Sequence, residues 1–171
     1  MKRHKLIIAA VVLLSACVTA PPPTTKAPAT PYPPEACTQA MKNVEHLKLS
    51  RTKEDGGDQL SKVIRVGRSL NKASEWIDRA DGWSVSTLML TSPGAISLSV
   101  QLSLLSLPRG AQVWLCSPNG RVRHGPYRED DGESLWSPVV PGDTAMLQIW
   151  SPSNARQSLK GELDSVQGGY R

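Results

Sequence analysis

Residues 96–104 alternate without a break: Ile96, Leu98, Val100, Leu102 and Leu104 are separated by Ser97, Ser99, Gln101 and Ser103. A period of two places the five apolar side chains on one face of a strand and the hydroxyls and amide on the other. The rest of the C-terminal half follows the same period. Ala111–Cys116 reads as a strand, Ser117-Pro118-Asn119-Gly120 as a turn, and Arg121–Tyr127 as the hairpin partner. Three more segments, 135–139, 144–150 and 159–166, are separated by Val140-Pro141-Gly142-Asp143 and Ser151-Pro152-Ser153-Asn154. Short strands punctuated by Pro, Gly and Asn predict an all-β fold, an antiparallel β-sandwich whose clearest strands lie within residues 84–166.

The polar stretch from Cys37 to Ala80 is less regular. Ala40, Met41, Val44, Leu47 and Leu49 recur at roughly helical spacing, which allows a short amphipathic helix over 38–49. Glu54-Asp55-Gly56-Gly57-Asp58 reads as a turn or loop. Five tryptophans and no phenylalanine make the aromatic content unusual. Trp114 and Trp150 fall on the strand faces opposite Val113/Leu115 and Leu147/Ile149. Either those strands are covered on both sides or the rings are partly open to water, and the first is favoured because large exposed apolar patches are rare. Trp76, Trp83 and Trp136 are candidates for a glycan-stacking surface, although filling a core is the commoner use of such rings.

The N-terminus carries a different message. Lys2-Arg3-His4-Lys5 precedes an apolar run from Leu6 to Leu14, the layout of a secretory signal, and at about half of the roughly 20 residues needed the run is too short to span a bilayer. Leu14-Ser15-Ala16-Cys17 is similar to the lipobox of bacterial lipoproteins. That similarity implies a signal over 1–16, acylation of the Cys17 thiol, and a membrane partner through the lipid. Val18, not aspartate, follows the cysteine, which suggests the outer membrane of a diderm bacterium. Residues 17–36 form a tether: seven of the fourteen prolines lie in this stretch, so regular structure is excluded and a semi-rigid spacer of about 45 Å is expected. Residues 37–171 are then one domain. Without Lys2, Arg3 and Lys5 the net charge of +5 falls to 5 − 3 = +2, and the remaining bases are dispersed among acids, so nothing points to nucleic acid.

With Cys17 assigned to lipid, Cys37 and Cys116 remain. An oxidising compartment favours a disulfide between them, the alternative being two separate thiols. Neither cysteine has further ligands nearby for zinc, and the acidic run Glu129–Glu133 lacks the calcium-loop spacing, so no metal is expected. No cofactor motif is present, and no catalytic residue stands out. After His4 leaves, the histidines are His46 and His124, neither beside a nucleophile signature.

An ordered set of segments carries one resemblance. Ser92-Pro93-Gly94-Ala95, the alternating strand, Leu107-Pro108-Arg109-Gly110-Ala111-Gln112-Val113, Gly125-Pro126-Tyr127 and Leu135-Trp136-Ser137-Pro138 run in sequence toward Pro141-Gly142-Asp143-Thr144-Ala145. Together with Val66-Gly67-Arg68 and the closing Val166–Arg171, they resemble the N-terminal non-catalytic domain of secreted bacterial trypsin-like peptidases of the lysyl endopeptidase type, over residues 62–171. The resemblance implies a jelly-roll-like sandwich. It also implies an accessory or pro-domain-like role with a protein partner such as a peptidase, and no peptidase activity in this chain. In that family a catalytic domain follows, whereas here the sequence stops at Arg171, so no catalytic residue carries over and Cys116 stands where a tyrosine or aliphatic residue is expected. The alternative is the front part of a peptidase precursor. A glycan-binding lipoprotein is a weaker third reading.

Overall fold

A computed structural model describes residues 27–33, 36–38, 44–50 and 60–170. Eleven strands run through them: β1 (Glu45–Lys48), β2 (Ser61–Ser69), β3 (Trp76–Asp78), β4 (Trp83–Thr91), β5 (Ser97–Ser106) and β6 (Gln112–Cys116). They continue with β7 (Arg123–Tyr127), β8 (Leu135–Trp136), β9 (Val140–Pro141), β10 (Thr144–Pro152) and β11 (Lys160–Gly169). One sheet has the order β1-β4-β10-β6-β7, with β3 also paired to β4. The other has the order β2-β11-β5-β8, with β9 also on β5. Every pairing is antiparallel except β1 with β4. The protein is an all-β sandwich, as the alternation predicts.

The core lies between the two sheets. Leu88, Leu90, Val113, Leu115, Leu147 and Ile149 from the first sheet are buried in one cluster with Leu98, Val100, Leu102, Leu163 and Val166 from the second. Burial of such side chains contributes about 1.5–3 kcal/mol each, which is why the alternating positions dictate which face turns inward.

Four local differences from the sequence expectation have physical causes. First, no helix forms at Glu45–Lys48, where the chain pairs in parallel with Leu88–Thr91. Residues 39–43 of the expected helix lie outside the described residues. An isolated helix this short is marginal in water, whereas the open edge of β4 offers unpaired backbone groups and the core accepts Leu47. Second, the strand expected over 96–104 extends to Ser106 and contains a bulge. Register against β11 shifts between Lys160 and Glu162, and Leu104 adopts φ 52°. Leu104 therefore points outward, and Leu105 and Leu107 take the buried positions. Third, Ile96 precedes the strand and is exposed. Fourth, the strand expected over 135–139 stops at Trp136, and a further two-residue strand, Val140–Pro141, forms in place of an expected turn. Pro138 has no N–H to continue a ladder; Ser137 N–H still donates to the Val100 carbonyl at 2.9 Å, but the Val100 N–H goes to the Ser137 hydroxyl at 3.0 Å.

The hairpin turn is built as its residues suggest. Gly120 N–H donates to the Ser117 carbonyl at 2.8 Å, and the Asn119 side chain accepts from Arg121 N–H at 3.0 Å.

Candidate functional site

The outer face of the first sheet is apolar, because β4, β6 and β10 carry large side chains on both sides. Trp83, Val85 and Trp150 form one cluster there, and Cys116 and Met146 another. The Trp83 and Trp150 rings meet edge to face at 6.4 Å, and the Arg79 guanidinium lies 5.4 Å from the Trp150 ring centre. This face is covered by the chain's own N-terminal residues. Trp150 is fully buried and Trp114 half-buried, so the strands are covered on both sides, the favoured expectation.

Three devices hold that cover in place. Cys37 is disulfide-bonded to Cys116, 79 residues further along the sequence, with Cα atoms 6.0 Å apart. The buried Gln148 carbonyl oxygen accepts from both Cys37 N–H (2.9 Å) and Trp150 Nε1–H (2.7 Å), while its amide nitrogen donates to Thr87 Oγ1 at 3.3 Å. Close backbone approach supplies the third. Gly120 (φ 67°) lies against the Cys37 carbonyl, and Gly82 (φ 87°) lies against Ala27 and Pro28, where a Cβ would come within 2.6 Å of the Ala27 oxygen. Both positions need a left-handed backbone and tolerate no side chain, which is why glycine occupies them.

Residues 27–33 belong to the stretch read as tether, yet they lie along the domain as a strap. Ala29 N–H donates to the Asp81 carbonyl at 3.2 Å, and Trp83 Nε1–H donates to Thr30 Oγ1 at 3.5 Å. The Arg128 guanidinium sits 5.2 Å from the Tyr32 ring centre. On one side of Pro31 is a cavity of about 290 Å³ bounded by Pro28, Thr30, Trp83, Arg109, Gly110 and Pro152. On the other is a cavity of about 250 Å³ bounded by Tyr32, Arg109, Gly110, Gln112, Arg128 and the acidic pair Glu129 and Asp130.

Electrostatics at the strap's far end centre on Asp81. Burial alone would raise its carboxyl, but the Arg79 hydrogen bond and charge and the Trp83 N–H together hold it below the ordinary carboxylate range. A lowered folded pKa stabilises the fold above the unfolded value and loses that contribution as pH falls through the folded one. Asp81→Asn is therefore expected to be less stable than the parent above about pH 4, with the gap closing on acidification. Thermal melts of both proteins from pH 7 to pH 2.5 test this, and a constant gap would contradict it. Elsewhere, burial and then the charge of Asp131 push the Tyr127 phenol above its usual value.

The three tryptophans named as a glycan surface do not come together. Trp83 lies beneath the strap with only 1 % of its surface exposed, so it is corrected from surface platform to core residue. Trp76 is half-buried, donates its Nε1–H to the Asn71 carbonyl at 2.8 Å and faces Arg156. Trp136 is exposed, but it stands on β8 in the other sheet, opposite Gln101. His124 bonds the Val139 carbonyl at 2.9 Å, and His46 is exposed on β1. Among the described residues no group of His, Cys, Asp or Glu is arranged to hold a metal ion. The Glu129–Glu133 turn is closed by the Arg128 N–H on the Asp131 carboxylate at 2.6 Å. Cys17 lies outside the described residues.

Sequence reasoning missed the strap, Gln148 and the two close-approach glycines. The signal available was the pair of apolar faces on β4 and β10, which demand a cover. The comparisons add a family. A family model described as the lysyl endopeptidase N-terminal domain matches residues 38–160. No curated protein matches the chain. The matched span begins beside Cys37 and so takes in β1, upstream of the segments that carry the sequence resemblance.

Proposed function

Because the chain belongs to the lysyl endopeptidase N-terminal domain family, a non-catalytic, peptidase-associated domain, we propose that it is a lipid-anchored accessory module that holds a protein partner, a peptidase, at the cell envelope. The observation that carries this reading is the family match over 38–160. It is supported by the lipobox-like Leu14-Ser15-Ala16-Cys17, the motif expected of an anchor, and by a disulfide suited to an oxidising compartment. Since Ala27 already lies against Gly82, only residues 17–26 separate the proposed acyl group from the domain. Ten residues reach at most about 35 Å, so the module sits nearer the membrane than a tether running to residue 36 would place it.

The anchor is tested by fractionation. Cys17→Ala is expected to move the protein from the membrane fraction to the soluble one and to abolish incorporation of a labelled acyl chain. An unchanged membrane fraction would defeat the lipoprotein reading.

The same match favours a second reading, since the family is by description an N-terminal domain: the chain is the front part of a peptidase precursor. The DNA beyond the codon for Arg171 separates the two. A continuation encoding a Ser/His/Asp triad supports the precursor, and a stop codon followed by unrelated sequence supports the free-standing module.

A further inference from the structure

The strap is held in a way that differs from the cover it leads into. Cys37 is fixed by a covalent bond and a buried hydrogen bond. Among the described residues, 27–33 are held by one backbone hydrogen bond of 3.2 Å, one side-chain bond of 3.5 Å, a cation–π contact and the packing of Ala27 and Pro28 on Gly82. Both side-chain contacts are of the modest kind, near 1 kcal/mol each. Open pockets of about 290 and 250 Å³ border Pro31. Arg109 borders both pockets and, among the described residues, has no side-chain hydrogen-bond or ion-pair partner.

The groove has the parts of a proline-peptide receptor. It offers a tryptophan whose indole N–H points at the bound segment, the proline wall of Pro152 and two arginines. An extended proline-containing backbone leaves most of its polar groups free for such donors, and here the Trp83 indole N–H donates to the Thr30 hydroxyl, which itself donates to the Tyr32 carbonyl at 2.8 Å. The peptide seated there, Pro28-Ala29-Thr30-Pro31-Tyr32-Pro33, has that chemistry.

We infer that the groove between Trp83, Pro152, Arg109-Gly110 and Arg128 docks an extended, proline-containing segment of the protein partner, and that residues 28–32 are a resident pseudo-ligand which the partner displaces. The inference rests on the reading of this chain as a partner-binding module and names where that binding occurs. Because the strap is tied to the domain at Cys37, its local concentration is on the order of millimolar, and it screens the groove from weak competitors. Displacement frees the strap without disturbing the disulfide, so docking lengthens the tether while the sandwich stays intact.

The test uses the full chain in detergent and a synthetic peptide of residues 26–34 as the probe, followed by tryptophan fluorescence and calorimetry. Thr30→Val combined with Tyr32→Ala weakens the strap. This double variant is expected to bind the peptide at least tenfold more tightly than the parent chain, with a change in Trp83 emission. Adding Arg109→Ala is expected to reduce that binding at least threefold while leaving the melting temperature unchanged. Should the double variant fold poorly, Tyr32→Ala alone, which loosens the strap and leaves every groove residue in place, replaces it. Absence of peptide binding by a folded strap variant, or equal binding by variant and parent, would overturn the inference. No peptidase enters the assay, so peptide binding together with failure to bind a peptidase would sink the accessory reading and leave the groove standing.

Discussion

Breaking the Cys37–Cys116 bridge by the paired change Cys37→Ala and Cys116→Ala is expected to lower the thermal midpoint by about 10 °C or more. The bridge joins residues 79 apart, and closing a loop of that length restricts the unfolded chain by about 4 kcal/mol in the chain-entropy treatment. The native state loses as well. Cys37, Cys116 and Met146 form a small buried cluster on the outer face of the first sheet, and the bridge covalently ties down the segment covering it. Circular dichroism melts, with the parent protein in the presence of reductant as a parallel, measure the effect. A shift under about 3 °C would mean that the cover holds by packing alone.

Gln148→Leu is expected to cost about 2–5 kcal/mol although the side chain changes little in volume. One carbonyl oxygen on Gln148 satisfies two buried donors, the Cys37 N–H and the Trp150 indole N–H. Leucine leaves both without a partner inside the protein, and each buried unsatisfied donor costs about 1–3 kcal/mol. The Thr87 hydroxyl loses its contact too. The effect is expected to overlap with that of the disulfide variant, because both act on the anchoring of Cys37. A double-mutant cycle by urea unfolding reads the coupling. Additive losses would show that Gln148 serves the sheet alone and not the cover.

These two sites also mark how far the sequence could be read. Strands β5, β6, β10 and β11 were legible because Leu98, Val100 and Leu102, and Leu147 and Ile149, keep a period of two that only a half-buried strand explains. The Ser117–Gly120 turn was legible from local chemistry. Features set by distant partners were not. Nothing near Glu45–Lys48 announces a parallel edge strand, since its cause is the unpaired side of β4, some forty residues downstream. The outward turn of Leu104 depends on a bulge against β11, and an alternating pattern read alone carries Leu104 inward. The strap was hidden for a related reason. Proline-rich composition rules out helix and sheet but is silent about docking, and the groove that receives it is assembled from residues 83, 109–112, 128 and 152. Gly82 beside Trp83 was the one local clue to a close backbone approach.

The glycan reading shows the same limit from the other side. Tryptophan count cannot tell a platform from a core residue. Trp83 is sealed under the strap, and Trp76 and Trp136 belong to different sheets, so the rings share no surface.

The central claim, a non-catalytic module that engages a peptidase, is tested most directly by titrating the purified full chain into a trypsin-like, lysine-specific serine peptidase of the same bacterium in a calorimeter, with lysyl ester hydrolysis followed in parallel. The account predicts saturable one-to-one binding and no ester hydrolysis by the chain itself. Absence of binding heat, or hydrolysis by the purified chain that disappears in His124→Ala, would contradict it.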